Sequence, residues 1–429
     1  MRVLVIGAHG FIGSAIAAAL RRAGHEIVRG VRASHTATPI PGERDLVCDM
    51  ARDLVEEIWL PRLEGIDAVV NCTGILRERS GDTFETVHVD APLALFRACV
   101  RANVRRVVQI SALGDPQDGE FVASKHRCDA ALAAHALDWV ILRPSVVYST
   151  RGSYGGTSLL RALAALPCLA IPGDGASYLQ PIAIEDLARA VSAILERPDV
   201  RNETFELVGP DVITLAEYLR AWGAWLGYPS ARECRVPSSL VRVAAQFGEW
   251  FGRGPFGLTM LRMLKRGNVG AMTAWERVRA RLGVEARSLE SALAEVPSQT
   301  QDRWHARAYF WLPALRVTLA VLWIASGALG LLLPAQAVDA STLNGPLAPS
   351  AALTLARLGG GIDLVLGVLC LVCWRPRLIY ALMAALLMVY TISIGIFWPR
   401  QWLDPFGGIA KNLPLLTALG LLWATEERR

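Results

Sequence analysis

The chain has 429 residues, 53% of them hydrophobic, with 44 Lys and Arg against 39 Asp and Glu for a formal net charge of +5. That length holds two or three domains, and so mild a basic balance, without a basic tract or a finger or homeodomain signature, argues against nucleic acid as a partner. The eight cysteines follow no framework spacing, which predicts reduced thiols and a cytoplasmic setting for the first part. Arg2 leads a few apolar residues that Gly7 and His9 cut short, which is not the pattern of a secretory signal.

The run Val3-Leu4-Val5-Ile6 reads as a buried parallel strand. It feeds Gly7-Ala8-His9-Gly10-Phe11-Ile12-Gly13 and then an Ala-rich helix from Ser14 to Arg22. Strand, glycine turn and helix, in that order, is the context in which such glycines point to a dinucleotide. Gly7 allows the tight turn and Gly10 lets the backbone approach a pyrophosphate. Gly13 lets the helix pack closely on the strand, with its N-terminal amides aimed at the phosphates.

A second strand starts at His25-Glu26-Ile27-Val28 and ends near Val31-Arg32. A carboxylate at that end would hold the adenosine ribose; Arg32, with Arg29 nearby, favours the 2′-phosphate of NADP over NAD. Leu46-Val47-Cys48 is a short third strand that puts Asp49 and Met50 beside the adenine. Asp67 to Cys72 is a fourth, followed by a small turn at Thr73-Gly74. Arg105 to Ile110 is a fifth and delivers Ser111 to its C-terminal edge. Trp139 to Leu142 is a sixth, stopped by Arg143-Pro144, and helices fill Ala91 to Asn103 and Ser124 to His135. The alternation predicts an α/β domain, a Rossmann-type doubly wound parallel sheet with ligands outside the strand C-termini.

This ordered series resembles the short-chain dehydrogenase/reductase superfamily. Within it, the chain is similar to the atypical branch that holds the nucleotide-binding accessory subunit of respiratory complex I and NmrA-like proteins. The motifs are GAHGFIG, DM after the third strand, NCTG after the fourth, ISALG after the fifth, the Lys125 helix and RPSVVY after the sixth. Gln180 to Ala188 and Thr204 to Pro210 agree, so the resemblance covers about residues 1 to 296. It implies cofactor contacts from Gly7, His9, Gly10, Phe11, Ile12, Gly13, Arg32, Asp49, Met50, Cys72, Thr73, Gly74, Ser111, Lys125 and Pro144. Members that reduce carbonyls use Ser with Tyr and Lys as YxxxK, the last two sharing a helix face. Ser111 and Lys125 match as catalytic residues, but the tyrosine position is Phe121, and a phenyl ring has no proton to give.

Two readings stay open at that point. Ser111, Ser124 or an ordered water relays the proton, or the domain only binds the nucleotide. Tyr148 and Tyr154 lie beyond the sixth strand, and their reach is not legible in the sequence. His9 and His126 read as local hydrogen-bonding residues. Residues 151 to 296 form the variable cap, in which Gly152, Gly155 and Gly156 mark a loop and Leu215 to Leu226 a helix capped by Thr214. Leu240 to Phe256, with Trp250, Phe251 and Phe256, and Met260 to Arg266 are core packing or a membrane-apposed surface.

Residues 297–311 read as a linker, with Ser298 to Arg307 polar and poorly capped, and 312–429 as an all-α, four-helix transmembrane domain. The spans are Leu312 to Leu333, Ala351 to Trp374, Leu378 to Trp398 and a short Ile409 to Ala424. Arg303, Arg307, Arg316, Arg375, Arg377 and Arg428-Arg429 put both termini and the nucleotide domain on the cytoplasmic side of the inner membrane. This tail resembles the DoxX-like membrane family through Ala356 to Leu364, Asp404-Pro405-Phe406-Gly407 and Lys411 to Pro414. Some of that family are associated with quinone-linked oxidation. Arg357 and Asp363 stand roughly 240° apart on an ideal helix and do not pair; Lys411 is a candidate partner for Asp363. Cys370 and Cys373 form a CxxC that reads as apolar packing, and no metal site is expected.

The expected function is therefore a membrane-anchored NAD(P)H-dependent oxidoreductase acting on a quinone- or isoprenoid-like molecule. The alternative is a catalytically silent sensor or assembly subunit docking other membrane proteins.

Overall fold

Seven parallel strands form one sheet: β1 (Arg2–Ile6), β2 (Glu26–Val31), β3 (Glu43–Val47), β4 (Ala68–Asn71), β5 (Arg106–Ile110), β6 (Asp138–Pro144) and β7 (Glu203–Leu207). Their order is β7-β6-β5-β4-β1-β2-β3. The computed structural model describes residues 1–32, 43–78, 81–173, 175, 177–228, 232–251, 257–342, 348–405 and 408–426, without the side chains of 247, 249–251 and 339–342. The chain divides into two compact units, Met1–Arg307 and Ala308–Arg429.

The sheet is buried on both faces, as the near-continuous apolar strands require. Val3 and Val5 point into one cluster with Ile16, Leu20 and Val191. Leu4 and Ile6 point into the other with Trp59, Val69 and Phe96. Ile6 is in register with Gly30 of β2 on one side and Asn71 of β4 on the other. The strand order reverses there, so the loops after β1 and β4 open a crevice at their C-terminal ends.

The cap packs its own core of Tyr148, Leu160, Leu169, Tyr218, Leu219 and Trp222. Thr214 caps helix Leu215–Trp225 in a reciprocal box with Glu217, the start the sequence predicts. Arg161, only 3% exposed, lies over the Trp222 and Trp225 rings at 4.3 and 5.1 Å and pairs with Asp302 at 3.7 Å.

Two expectations fail in this unit. Cys168 and Cys234 form a disulfide across 66 residues, where reduced thiols were expected. Strands Cys168–Pro172 and Arg232–Val236 pair in parallel with Cys168 opposite Arg232, a juxtaposition that no local spacing reveals. The expected linker is helical from Thr300, as part of Thr300–Leu332. Its start is capped, because the Asp302 carboxylate accepts the Gln299 amide at 2.8 Å. Trp250, Phe251 and Phe256 lie outside the described side chains, so the surface expected there is not described.

The second unit is helical. Among the described residues, three helices are long and apolar enough to cross a membrane: Thr300–Leu332, Pro349–Leu371 and Pro376–Phe397. A shorter fourth, Asn412–Thr425, has 14 residues, about 21 Å of helix. Close backbone approach fixes the first pair: a Cβ on Gly327 would sit 2.7 Å from the Gly360 carbonyl oxygen, the small-residue contact typical of membrane helices. Arg357 donates to the Gly330 and Leu333 carbonyls at 3.0 and 2.7 Å, closing the C-terminal end of that helix. Asp363 takes its hydrogen bond from Ser326 at 2.9 Å rather than from Lys411, because helix packing places Ser326 beside it. Cys370 and Cys373 are buried and take part in no disulfide among the described residues. Phe406, Gly407, Arg428 and Arg429 lie outside the described residues.

Candidate cofactor and active site

The glycine turn has the geometry its sequence predicts. Gly7 has φ +77°, and its amide donates 3.0 Å to the Gly30 carbonyl. A Cβ on Gly7 would meet the Cys72 carbonyl at 3.3 Å, and one on Gly13 would run into the Gly7 carbonyl. The Gly10 amide donates 2.9 Å to Gly7 and closes the turn. Helix Phe11–Arg22 then begins with Gly10 as its N-cap and no side-chain cap. Its first-turn amides have no intrahelical acceptor, so an anion can take them. His9 sits in the turn, and Ile12 leans on the core. These features fit a pyrophosphate.

At the adenosine end the expected residues have partners of their own. Arg32 pairs with Asp82 at 3.0 Å and is 43% exposed. Arg29 is buried and tied to Glu43 and Asp45 at 3.1 and 2.6 Å, so it braces β2 on β3. Asp49 accepts the Ala51 amide at 3.1 Å and stands 3.7 Å from Arg52. Met50 is core, packed with Leu4, Ile6 and Cys48. Residues 33–42, which follow Arg32, lie outside the described residues.

The ends of β4 and β5, where the resemblance puts the nicotinamide, carry a closed polar network. The Thr73 hydroxyl donates to Asn71 at 2.5 Å, and Asn71 donates to Gln109 at 2.8 Å. Burial pushes the Cys72 thiol up to about 12, so it stays protonated. Lys125, 4% exposed, donates to the Thr73 carbonyl and to Ile110 at 3.2 Å. Burial lowers its pKa, against the pull of Cys128, Asp129 and Cys72. A Cβ on Gly74 would lie 3.2 Å from the Lys125 Nζ and 3.6 Å from His88 Nε2. The Pro144 carbonyl accepts the Leu113 amide at 3.0 Å.

His88 was missed in the sequence and organises this end. The Ile75 amide donates to Nε2 at 2.9 Å, which makes Nε2 the acceptor and leaves the proton on Nδ1. Nδ1 is 2.8 Å from the Ser124 hydroxyl, which donates 3.2 Å to the Phe121 carbonyl. Burial, reinforced by Lys125 and Arg127, drives the His88 pKa down to about 2, so the ring is neutral. Ser124 is fully buried with both hydrogen-bonding roles filled, and it is not the relay considered above. The Phe121 ring meets Phe84 and His88 edge-on at 6.3 and 5.8 Å.

Ser111 stands at the end of β5 and donates 2.8 Å to Asp129 Oδ2. Asp129 pairs with Arg143 on β6, whose Nε and Nη2 both lie 2.9 Å from the same oxygen. Burial raises the Asp129 pKa; the Ser111 bond and Arg143 pull it down. Asp129 follows Lys125 by four positions, as Lys125 follows Phe121, so all three share a face of helix Glu120–Ala133. That spacing is the signal that could have found it. Tyr148 is buried against Trp222 in the cap at 6.0 Å, Tyr154 is 52% exposed, and neither has a hydroxyl bond to these residues among those described. His126 bonds to the Ala112 carbonyl at 3.1 Å.

The sheet order and its glycine turn define a Rossmann-type fold. Residues 3–207 match the NAD dependent epimerase/dehydratase family and residues 320–420 the DoxX-like family; the chain joins a domain similar to each. An epimerase family protein of Mycobacterium tuberculosis is 29% identical over 283 residues, 59% of this chain and 86% of that protein. The mitochondrial NADH-ubiquinone oxidoreductase 40 kDa subunit of Neurospora crassa is 24% identical over 250 residues, 56% of this chain and 64% of the subunit. Among solved structures, MoeE5 in complex with UDP-glucose and NAD shares the fold with a TM-score of 0.50 at 22% identity, covering 72% of this chain and 100% of MoeE5.

Proposed function

We propose that the chain is a membrane-anchored NAD(P)-dependent oxidoreductase that acts on a lipophilic, quinone- or isoprenoid-like molecule. The observation that carries this reading is the glycine turn at the sheet's reversal point, on a chain that continues into three helices of membrane-spanning length. Domain limits of 1–296 with the cap and 312–429 for the membrane part suit it, with 297–311 a helical connector.

A bound nicotinamide cofactor supplies or takes the hydride. Gly7, His9 and Gly10 shape the turn that would cradle its pyrophosphate, and the first-turn amides of Phe11, Ile12 and Gly13 would hold it. Asp49 and Met50 border the adenine by their backbone, and Cys72, Thr73, Gly74 and Pro144 line the nicotinamide side. Lys125, with two of its three protons on carbonyls, keeps one for a ribose hydroxyl. Arg32 favours NADP by exchanging Asp82 for a 2′-phosphate. The arginines before the first span and between the second and third favour a cytoplasmic nucleotide domain and cytoplasmic termini in an inner membrane.

Phe121 favours a second reading, a silent NAD(P)H sensor or assembly subunit, and the complex I relatives support it. Purified full-length chain, given NADPH and decylubiquinone, separates the two. The enzyme reading expects NADPH oxidation that depends on the quinone and is abolished by Lys125→Ala. NADPH that binds but is oxidised by no lipophilic acceptor overturns it and leaves the sensor.

A further inference from the structure

We propose that Ser111 and Asp129 form the proton relay that replaces the missing tyrosine, with Asp129 a positioning residue acting through Ser111. This rests on the oxidoreductase reading above. The neighbouring alternatives are already engaged: the Thr73 hydroxyl by Asn71, Ser124 by His88 and the Phe121 carbonyl, and both His88 nitrogens by Ile75 and Ser124. Ser111 is different, because its partner is a carboxyl group that can itself take or give a proton.

The carboxyl is built asymmetrically. Ser111 and two nitrogens of Arg143 converge on Oδ2, whereas Oδ1 is buried without a hydrogen bond. A buried carboxylate oxygen without a donor is costly, which favours uptake of a proton by the carboxyl, and Oδ2 is the oxygen to which Ser111 can deliver one. The Arg143 side chain is 27% exposed and that of Asp129 only 3%. Water therefore supports the Arg143 charge when Asp129 is protonated, and the ion pair does not lock the carboxyl in one state. An ion pair serving structure alone needs no hydroxyl at the sheet edge; here the hydroxyl of the family's catalytic serine is the third donor.

In the reducing direction the acceptor gains a hydride from NAD(P)H, which becomes NAD(P)⁺. Its oxygen forms an O–H bond with the Ser111 proton as the Ser111 O–H bond breaks. Ser111 takes a proton from Asp129 Oδ2 across their 2.8 Å hydrogen bond, and Asp129 recovers one from solvent on the side of Arg143, whose side chain is 27% exposed. A quinone so gains one hydride and one proton and leaves as the hydroquinone. Reversed, the relay accepts the proton of a substrate hydroxyl.

The test compares full-length wild type, Asp129→Asn, Asp129→Glu and Ser111→Ala. NADPH binding is followed by fluorescence, decylubiquinone reduction across pH, and the protonated-carboxyl band by infrared difference spectroscopy. The relay predicts a kcat loss of about 100-fold in Asp129→Asn and Ser111→Ala, with NADPH affinity and quinone KM within about twofold. The double variant loses no more than either single one. Asp129→Glu recovers part of kcat with a displaced pH limb, and Asp129→Asn lacks one titrating carboxyl band. Wild-type kcat and pH profile in Asp129→Asn would overturn the relay and leave the oxidoreductase reading standing. If Asp129→Asn fails to bind NADPH, Ser111→Ala decides, since it keeps the Asp129–Arg143 pair: full activity there overturns the relay. A wild type that binds NADPH and reduces nothing sinks the oxidoreductase reading and the relay together.

Discussion

The two ends of the crevice are built on opposite rules. At the phosphate end, the turn after β1 is backbone, closed by the Gly10 to Gly7 bond, and leaves first-turn amides of Phe11–Arg22 with no intrahelical partner. At the nicotinamide end nearly every polar group is matched, from Thr73 through Asn71 to Gln109 and from Ile75 through His88 to Ser124. An end made of backbone depends on glycine and tolerates little change. An end made of paired side chains can lose its tyrosine and stay folded, because Phe121 keeps its place against Phe84 and His88. The two ends of one crevice therefore rest on different parts of the chain, backbone at one and paired side chains at the other.

The sharpest way to break the comparison is at the turn. Gly13→Val puts a side chain into the Gly7 carbonyl and is expected to abolish NADPH binding, by about 1000-fold or more, with helical circular dichroism retained. Binding within tenfold of wild type would mean that the turn does not hold the phosphates. At the other end, Phe121→Tyr restores the phenol on the Lys125 face and, in the Asp129→Asn background, is expected to raise quinone reduction about 100-fold without changing NADPH affinity, whereas the wild type, whose relay already supplies the proton, changes little. No gain in that background would show that the phenol does not reach the proton's path.

His88 sharpens the contrast through pH. Its folded pKa is lowered to about 2 from 6.5, so below pH 6.5 the unfolded chain takes a proton that the folded one refuses. Stability from this group is full above the unfolded value and is lost as pH falls, by about 1.4 kcal/mol per unit. Denaturant melts at pH 7 and 5 should differ by about 2 kcal/mol more in wild type than in His88→Gln, which keeps an acceptor for the Ile75 amide. Equal differences would contradict a neutral buried imidazole. The smallest effect is at Arg32, where Arg32→Ala should weaken NADPH about tenfold and leave NADH unchanged, because Asp82 already satisfies part of its charge.

The fold was legible wherever short-range pattern decides it. Val3 to Ile6, Arg106 to Ile110 and the Thr214 cap each carry their own signal of period, burial or spacing. What was hidden depends on tertiary juxtaposition. Cys168 and Cys234 meet only because two cap strands pair, and Ser326 reaches Asp363 only because Gly327 and Gly360 let two helices touch. The candidate site divides the same way. Its glycines, Ser111 and Lys125 stand in a recognisable series, whereas His88 lies in a stretch without a motif and Asp129 shows only through its helical spacing from Lys125.

Whether the glycine turn binds a nicotinamide dinucleotide is decided by one titration. Purified full-length chain is titrated with NADPH and with NADH while cofactor fluorescence is followed, with Gly13→Val beside it. Saturable binding of both is expected, tighter for NADPH, and none in the variant. No binding of either cofactor to the wild type would contradict it, and the chain would then be a membrane protein carrying a nucleotide fold without its nucleotide.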